Sequence, residues 1–194
     1  MNNISFGSRI RHCTRNEFNM TVNRFGTKCF ADYPWTIKES VFSNNAYTKF
    51  IVDCTVCGIT DGLKVLLIHL CPTNKENFNF SKVVELIKNK FDLNNPDLQA
   101  ILIGGKPECT QGKESYKLFN IFENFLKECN IQYSKLKGGM GAKDVAYSSE
   151  KDEWLIVNDM VERPRMREYK SPQKEIEKAY EEVKIADCDE LTWF

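Results

Sequence analysis

Two apolar runs joined across one turn signal constrain this chain more than any other feature. They read KFIVDCTVCGIT and LKVLLIHLC on either side of Asp61-Gly62. Both are rich in β-branched and aliphatic residues, and an Asp-Gly dipeptide between such runs is a strong hairpin signal. Phe50–Ile59 reads as one buried strand and Lys64–Leu70 as a second, with Pro72-Thr73-Asn74 ending it. Folding the runs back on each other carries Cys54 of the first toward His69 of the second. A cysteine beside a histidine is the minimum equipment for thiol nucleophilic catalysis, because the imidazole can take the thiol proton near neutral pH. The chain holds two histidines, His12 and His69, so the candidate base is nearly unique.

The rest of the chain alternates helix and strand patterns. Ser81 can cap a helix over 81–91, with Val83, Val84, Ile87 and Phe91 on one face. Asn94-Asn95-Pro96 breaks it, and Leu98–Ile103 is a short apolar strand running into Gly104-Gly105. A longer helix spans about Glu114 to Cys129, its stripe made of Leu118, Phe122, Phe125, Leu126 and Cys129. Ile131–Leu136 is the next strand. Val145–Ser148 and Glu153–Val157 then alternate as a hairpin across Ser149–Asp152. Residues 1–47 read as β-rich and loop-rich, with candidates around Ile4–His12 and Thr27–Tyr33. Past Asn158 the chain turns charged, and Ser171-Pro172 opens a helix whose Ile176, Tyr180 and Val183 can dock on the body. This order points to an α/β or α+β fold rather than a doubly wound parallel sheet.

Composition excludes several classes. The 194 residues are 42% hydrophobic, enough for a sizeable core. Lys+Arg and Asp+Glu both total 27, so no charge excess invites nucleic acid or an anionic membrane surface. The apolar runs are too short to span a bilayer, and MNNISFGSRIRHC has no secretory-signal pattern. Cysteines at 13, 29, 54, 57, 71, 109, 129 and 188 are irregularly spaced in mostly apolar surroundings, which predicts buried reduced thiols.

Within the first hairpin, Cys54 is the candidate nucleophile, His69 the candidate base, and the Thr48 hydroxyl a group that can orient the imidazole. Cys57 is the rival nucleophile, twelve residues before His69. A zinc reading competes for the same residues, since Cys54, Cys57, His69 and Cys71 are all tetrahedral-zinc donor types. A strand places residues three apart on opposite faces, which works against Cys54 and Cys57 sharing an ion. The plainest alternative is structural, because buried cysteines and lone strand histidines are common. Gly104-Gly105-Lys106 lacks phosphate-loop spacing, and Gly138-Gly139-Met140-Gly141 is not followed by a helix, so both read as backbone turns. Trp35, Trp154 and Trp193 read as core or docking residues, with no basic stripe beside them.

The order of these pieces resembles the chemotaxis glutamine deamidase (CheD) family and, more distantly, the cytotoxic necrotizing factor type of deamidating toxin. Thr48, Cys54 six residues on and His69 fifteen further match the family's Thr…Cys…His arrangement. Asp61 falls where the first hairpin turns, and Pro72 follows the histidine. AILIGG at 100–105 is similar to the strand entering a double-glycine loop. GGMGAKDVAYSSEKDEWLIV at 138–157 is similar to the closing glycine segment and hairpin. The similarity covers about 48–158. One departure is Val52-Asp53 before the cysteine, where the family has Gly or Ser; a carboxylate facing the thiol would raise its pKa.

The resemblance implies a central mixed or antiparallel β-sandwich-like core flanked by helices. It implies one catalytic domain over 1–161 with its core at 48–158, and a charged extension over 162–194 carrying the docking helix. The implied reaction is hydrolysis of Gln to Glu on a protein substrate. Cys54 would be the nucleophile, His69 the base and Thr48 the third member, with no metal or organic cofactor. The implied partner is a protein carrying a reactive glutamine, met by a monomer in the cytoplasm, or by a secreted effector or toxin in a host cytoplasm. The alternatives are an inactive binding domain of the same fold and a zinc-stabilised interaction module. The enzyme reading requires Cys54 and His69 to be neighbours in an accessible pocket.

Overall fold

The Asp61-Gly62 signal forms its hairpin. The computed structural model describes residues 7–31, 40–52, 54–70, 79–105, 112–137 and 143–158. In it Thr55–Thr60 runs antiparallel to Val65–Leu70, with Val56 opposite His69 and Thr60 opposite Val65. Asp61 closes the turn, its Oδ1 accepting from the backbone N–H groups of Leu63 and Lys64. Gly62 sits at φ +87°, a conformation that a glycine adopts without a Cβ clash.

In chain order the described elements are β1 (Arg9–His12), α1 (Arg15–Phe25), β2 (Ser40–Ser43), β3 (Asn45–Ile51), β4 (Thr55–Thr60), β5 (Val65–Leu70), α2 (Phe80–Lys90), β6 (Gln99–Gly104), α3 (Gly112–Glu128), β7 (Gln132–Lys137), β8 (Lys143–Ser148) and β9 (Glu153–Asn158). The strands form two mixed sheets, ordered β1-β9-β8-β3 and β2-β5-β4-β6-β7. The β1–β9 and β6–β7 pairs are parallel and the rest antiparallel. The protein is therefore mixed α/β.

Three apolar clusters set the layers. Ala46, Ile51, Val145, Tyr147, Trp154 and Ile156 of the four-stranded sheet bury against Cys54, Val56, Val65, Leu67, Ile101 and Ile103 of the five-stranded one. The other face of the five-stranded sheet, with Cys57, Ile59, Leu66, Ile68 and Leu102, is covered by Val83 and Ile87 of α2 and by Phe119, Phe122 and Leu126 of α3. Phe18 and Val22 of α1 cover Ala146, Leu155 and Val157 on the outer face of the four-stranded sheet. Helix and strand thus follow the apolar patterning, and β4, central in its sheet, is buried along its whole length. Gly58 lets the layers meet: a Cβ there would stand 2.2 Å from Cη2 of Trp154. A glycine inside a central strand usually weakens it, and here it admits an indole from the opposite sheet.

Three expectations need correction. Phe50–Ile59 is not one strand: β3 ends at Ile51 and β4 begins at Thr55 in the other sheet, so Cys54 lies where the chain crosses between layers. An unbroken apolar run hides this crossing because both halves are buried. Residues before Thr48 are not merely strands and loops, since Arg15–Phe25 is a helix. Its cap is Thr14, whose Oγ1 accepts from the N–H of Glu17, three residues on; this is half of a capping box. The cap of α2 is Asn79 rather than Ser81, the Asn79 Oδ1 accepting from the Ser81 N–H. The helix expected over about 114–129 is α3, and the strands expected at 98–103, 131–136, 145–148 and 153–157 are β6, β7, β8 and β9. The expected charged extension over 162–194, with Trp193, lies outside the described residues, as do Asp53, Trp35, Cys71, Pro72 and the glycine segment at 138–141.

A candidate thiol–imidazole site between the sheets

Strand parity decides which side chains can meet. His69 is directly opposite Val56, so the two share a face, and Cys54, two residues before Val56, shares it too. That face looks onto the four-stranded sheet, and Cys54 packs in the apolar cluster there. Cys54 lies just before β4, one residue past the last paired position, Thr55 opposite Leu70. Cys57 points the opposite way, into the cluster under α2 and α3. Cys57 is thus turned from the imidazole, and burial pushes its pKa up. The same parity separates two of the four supposed zinc donors, so Cys54 and Cys57 do not converge on one ion. Among the described residues no cluster of three metal-ligating side chains forms.

Thr48 reaches the imidazole from the other layer. Its Oγ1 lies 2.6 Å from Nδ1 of His69, a buried hydrogen bond between β3 and β5. The tautomer sets the chemistry. If Nδ1–H donates to the threonine oxygen, Nε2 carries the lone pair and can act as a base. If the hydroxyl donates instead, Nε2 bears the proton and cannot. Burial pulls the His69 pKa down from 6.5 to about 3, so the ring is neutral at physiological pH.

Gly104 and Gly105 form the wall beside Cys54. Gly104 has φ +134°, and a Cβ on it would come 2.5 Å from the carbonyl oxygen of Cys54 and 2.9 Å from Cα of Thr55. Gly105 has φ +69° and abuts the ring of Phe119 on α3, where a Cβ would lie 2.8 Å from Cγ. The double glycine expected as a turn thus lets β6 come against the backbone of the candidate nucleophile.

Cys54 belongs to the layer in which Thr48 and His69 meet, and none of the three is accessible. Thr48, Cys54 and His69 are each 0% exposed in this structure. None of the described cysteines, at 13, 29, 54, 57 and 129, is in a disulfide; Cys29, Cys54 and Cys57 are buried, and Cys13 and Cys129 are half-buried. Trp154 is a core residue, stacked at a tilt on Tyr147 with centroids 4.8 Å apart.

Sequence reasoning missed what supports Thr48. Between Thr48 and Ile51 the pairing of β3 with β8 shifts, so Lys49 and Phe50 both stand against Asp144. Phe50 has φ +60°, and its N–H donates to Oδ1 of the fully buried Asp144 at 2.9 Å. A sequence carries no local sign of a bulge without Gly, Pro or Asn, and the carboxylate comes from a strand that starts over ninety residues later. No described helix is long and apolar enough to cross a membrane. No protein-family model matches this chain, and no curated protein matches it.

Proposed function

We propose that this chain is a cysteine-dependent protein glutamine deamidase of the CheD-like type. One observation carries the reading: the 2.6 Å bond between Thr48 and His69 on the face that also holds Cys54. In the reaction, Nε2 of His69 takes the Cys54 proton as Sγ attacks the carbonyl carbon of a glutamine side chain. The proton then passes to the departing amine, the C–N bond breaks, and ammonia leaves a thioester. Water, deprotonated by the same imidazole, attacks the thioester; glutamate departs and the thiol regains its proton. The oxyanion would be held by backbone N–H groups near Cys54. Thr48 would keep Nδ1 protonated and the ring aimed. The substrate would be a protein, met by a monomer in the cytoplasm of its own cell or, for an effector, of a host.

Burial of all three side chains means that turnover requires an opening motion. It also favours a second reading, an inactive domain that keeps the fold and binds a partner, in which Thr48–His69 is a satisfied core hydrogen bond. Two measurements separate them. Intact mass of candidate partner proteins after incubation should rise by about one dalton per site with wild type and stay constant with Cys54→Ala, the mark of amide-to-acid conversion. Iodoacetamide should modify Cys54 under native conditions faster than the chain unfolds globally, and His69→Ala should slow it. Labelling of Cys54 only at the rate of global unfolding would favour the binding domain and end the enzyme reading.

A further inference from the structure

We infer that Asp144, held by Arg15, is a positioning residue that sets Thr48 against His69. The inference rests on the enzyme reading for its functional meaning, though its geometry stands apart from it. Along β3, Ala46 and Thr48 face inward, and simple alternation would send residue 50 inward next. Instead Ile51 is in the inter-sheet cluster, because the extra residue at Lys49-Phe50 reverses the parity. Phe50 occupies φ +60°, an uncommon conformation for a bulky side chain, so something must hold it. The holding group is Asp144. Asp144 Oδ1 accepts the Phe50 N–H at 2.9 Å, and Asp144 Oδ2 pairs with Nη1 of Arg15, the first residue of α1.

The pair anchors the backbone between Thr48 and Cys54, which lie two residues before and four residues after Phe50. Releasing it lets the bulge relax or migrate. A bulge moved toward Thr48 turns that hydroxyl out of the inter-sheet layer and leaves Nδ1 without its 2.6 Å partner. Arg15 itself is partly exposed, and its guanidinium carbon lies 6.0 Å from the ring centroid of Phe18, one turn on in the same helix. Thus the Arg15–Asp144 ion pair and the Asp144–Phe50 hydrogen bond join α1 to β3.

The test uses the full chain with Asp144→Ala, Asp144→Asn and Arg15→Ala. With only His12 and His69 present, the 15N spectrum of the imidazoles reads the tautomer of His69 directly. Wild type should show Nδ1 protonated, and Asp144→Ala should lose that single tautomer. Asp144→Asn, which keeps an acceptor for the Phe50 N–H, should retain it. The rate of Cys54 alkylation near neutral pH should fall at least tenfold in Asp144→Ala and within about threefold in Asp144→Asn. A folded Asp144→Ala protein with an unchanged His69 spectrum and an unchanged alkylation–pH profile would overturn the inference. Should that variant fail to fold, Arg15→Ala decides: a mixed His69 tautomer supports the inference and a wild-type spectrum refutes it. If wild-type Cys54 alkylation proves independent of His69, the enzyme reading fails while the spectra still judge the anchor.

Discussion

Replacing Gly104 with alanine tests the close approach on which the placement of Cys54 depends. Two terms act on that variant. The first is conformational: alanine at φ +134° costs about 1–3 kcal/mol, because L side chains rarely adopt that region. The second is steric. The new Cβ would stand 2.5 Å from the Cys54 carbonyl oxygen and 2.9 Å from the Thr55 Cα. Both are backbone atoms, so neither can rotate away as a side-chain tip would. Overpacking of this kind costs about 1–3 kcal/mol more. The sum, about 2–6 kcal/mol, is a large part of a typical domain's stability. Gly62 supplies the control, since it has φ +87° and nothing within 4 Å of an added Cβ. Gly62→Ala should therefore show the conformational term alone, about 1–2 kcal/mol. Urea denaturation of the two variants, with equal slopes confirming comparable unfolded states, reads the difference. If Gly104→Ala were no more destabilising than Gly62→Ala, the contact between β6 and the Cys54 backbone would be wrong, and with it the site's geometry.

Gly58→Ala should destabilise by about 3 kcal/mol or more, because its Cβ would meet Trp154 at 2.2 Å. Combined with Trp154→Leu in a double-mutant cycle, it should show a coupling of at least about 1 kcal/mol, and strict additivity would contradict the packing of the two sheets. Thr48→Val should remove the partner of His69 Nδ1 and cost about 1–3 kcal/mol by thermal or urea unfolding, with Thr48→Ser recovering most of it. A larger loss for Thr48→Ser than for Thr48→Val would point to methyl packing instead. The His69 imidazole has a folded pKa of about 3 against 6.5 when exposed, so between those values the unfolded chain binds a proton that the folded chain does not. Its contribution is complete above pH 6.5 and is lost as pH falls toward 3, at roughly 1.4 kcal/mol per pH unit. His69→Phe should flatten the stability–pH slope by that amount, and an unaltered slope would show the ring to be hydrated. Thr14→Ala should cost about 1 kcal/mol by removing the cap of α1, measured by urea unfolding; no loss would mean that the cap is not formed.

The parts of this fold legible in the sequence are those whose signals are local. The β4–β5 hairpin follows from two apolar runs and Asp61-Gly62, and α3 from a stripe of Leu118, Phe122, Phe125 and Leu126. The layer change between Ile51 and Thr55 was illegible because residues buried on both sides of a crossing look like one strand. Helix α1 was obscured by its charged residues, although Thr14 and Glu17 stand at capping-box spacing and Phe18 and Val22 one turn apart. Burial of the candidate site was beyond local reading, since the covering layer includes Val145, Tyr147, Trp154 and Ile156, far along the chain.

The spacing of Thr48, Cys54 and His69 has a geometric origin that precedes any chemistry. Fifteen residues separate Cys54 from His69 because β4, a four-residue turn and most of β5 lie between them. Six residues separate Thr48 from Cys54 because the chain passes a bulge and changes sheets between them. A binding domain and an enzyme built on this frame share both spacings, so the motif's order alone supports the frame first. Function enters only at sulfur. Cys54→Ser preserves shape while replacing a thiol with an alcohol, which ionises far less readily. Cys54→Ser should therefore leave the urea midpoint close to wild type and abolish amide-to-acid conversion, whereas Thr48→Val acts on stability and on the reaction together. Retained conversion in Cys54→Ser would move the nucleophile elsewhere.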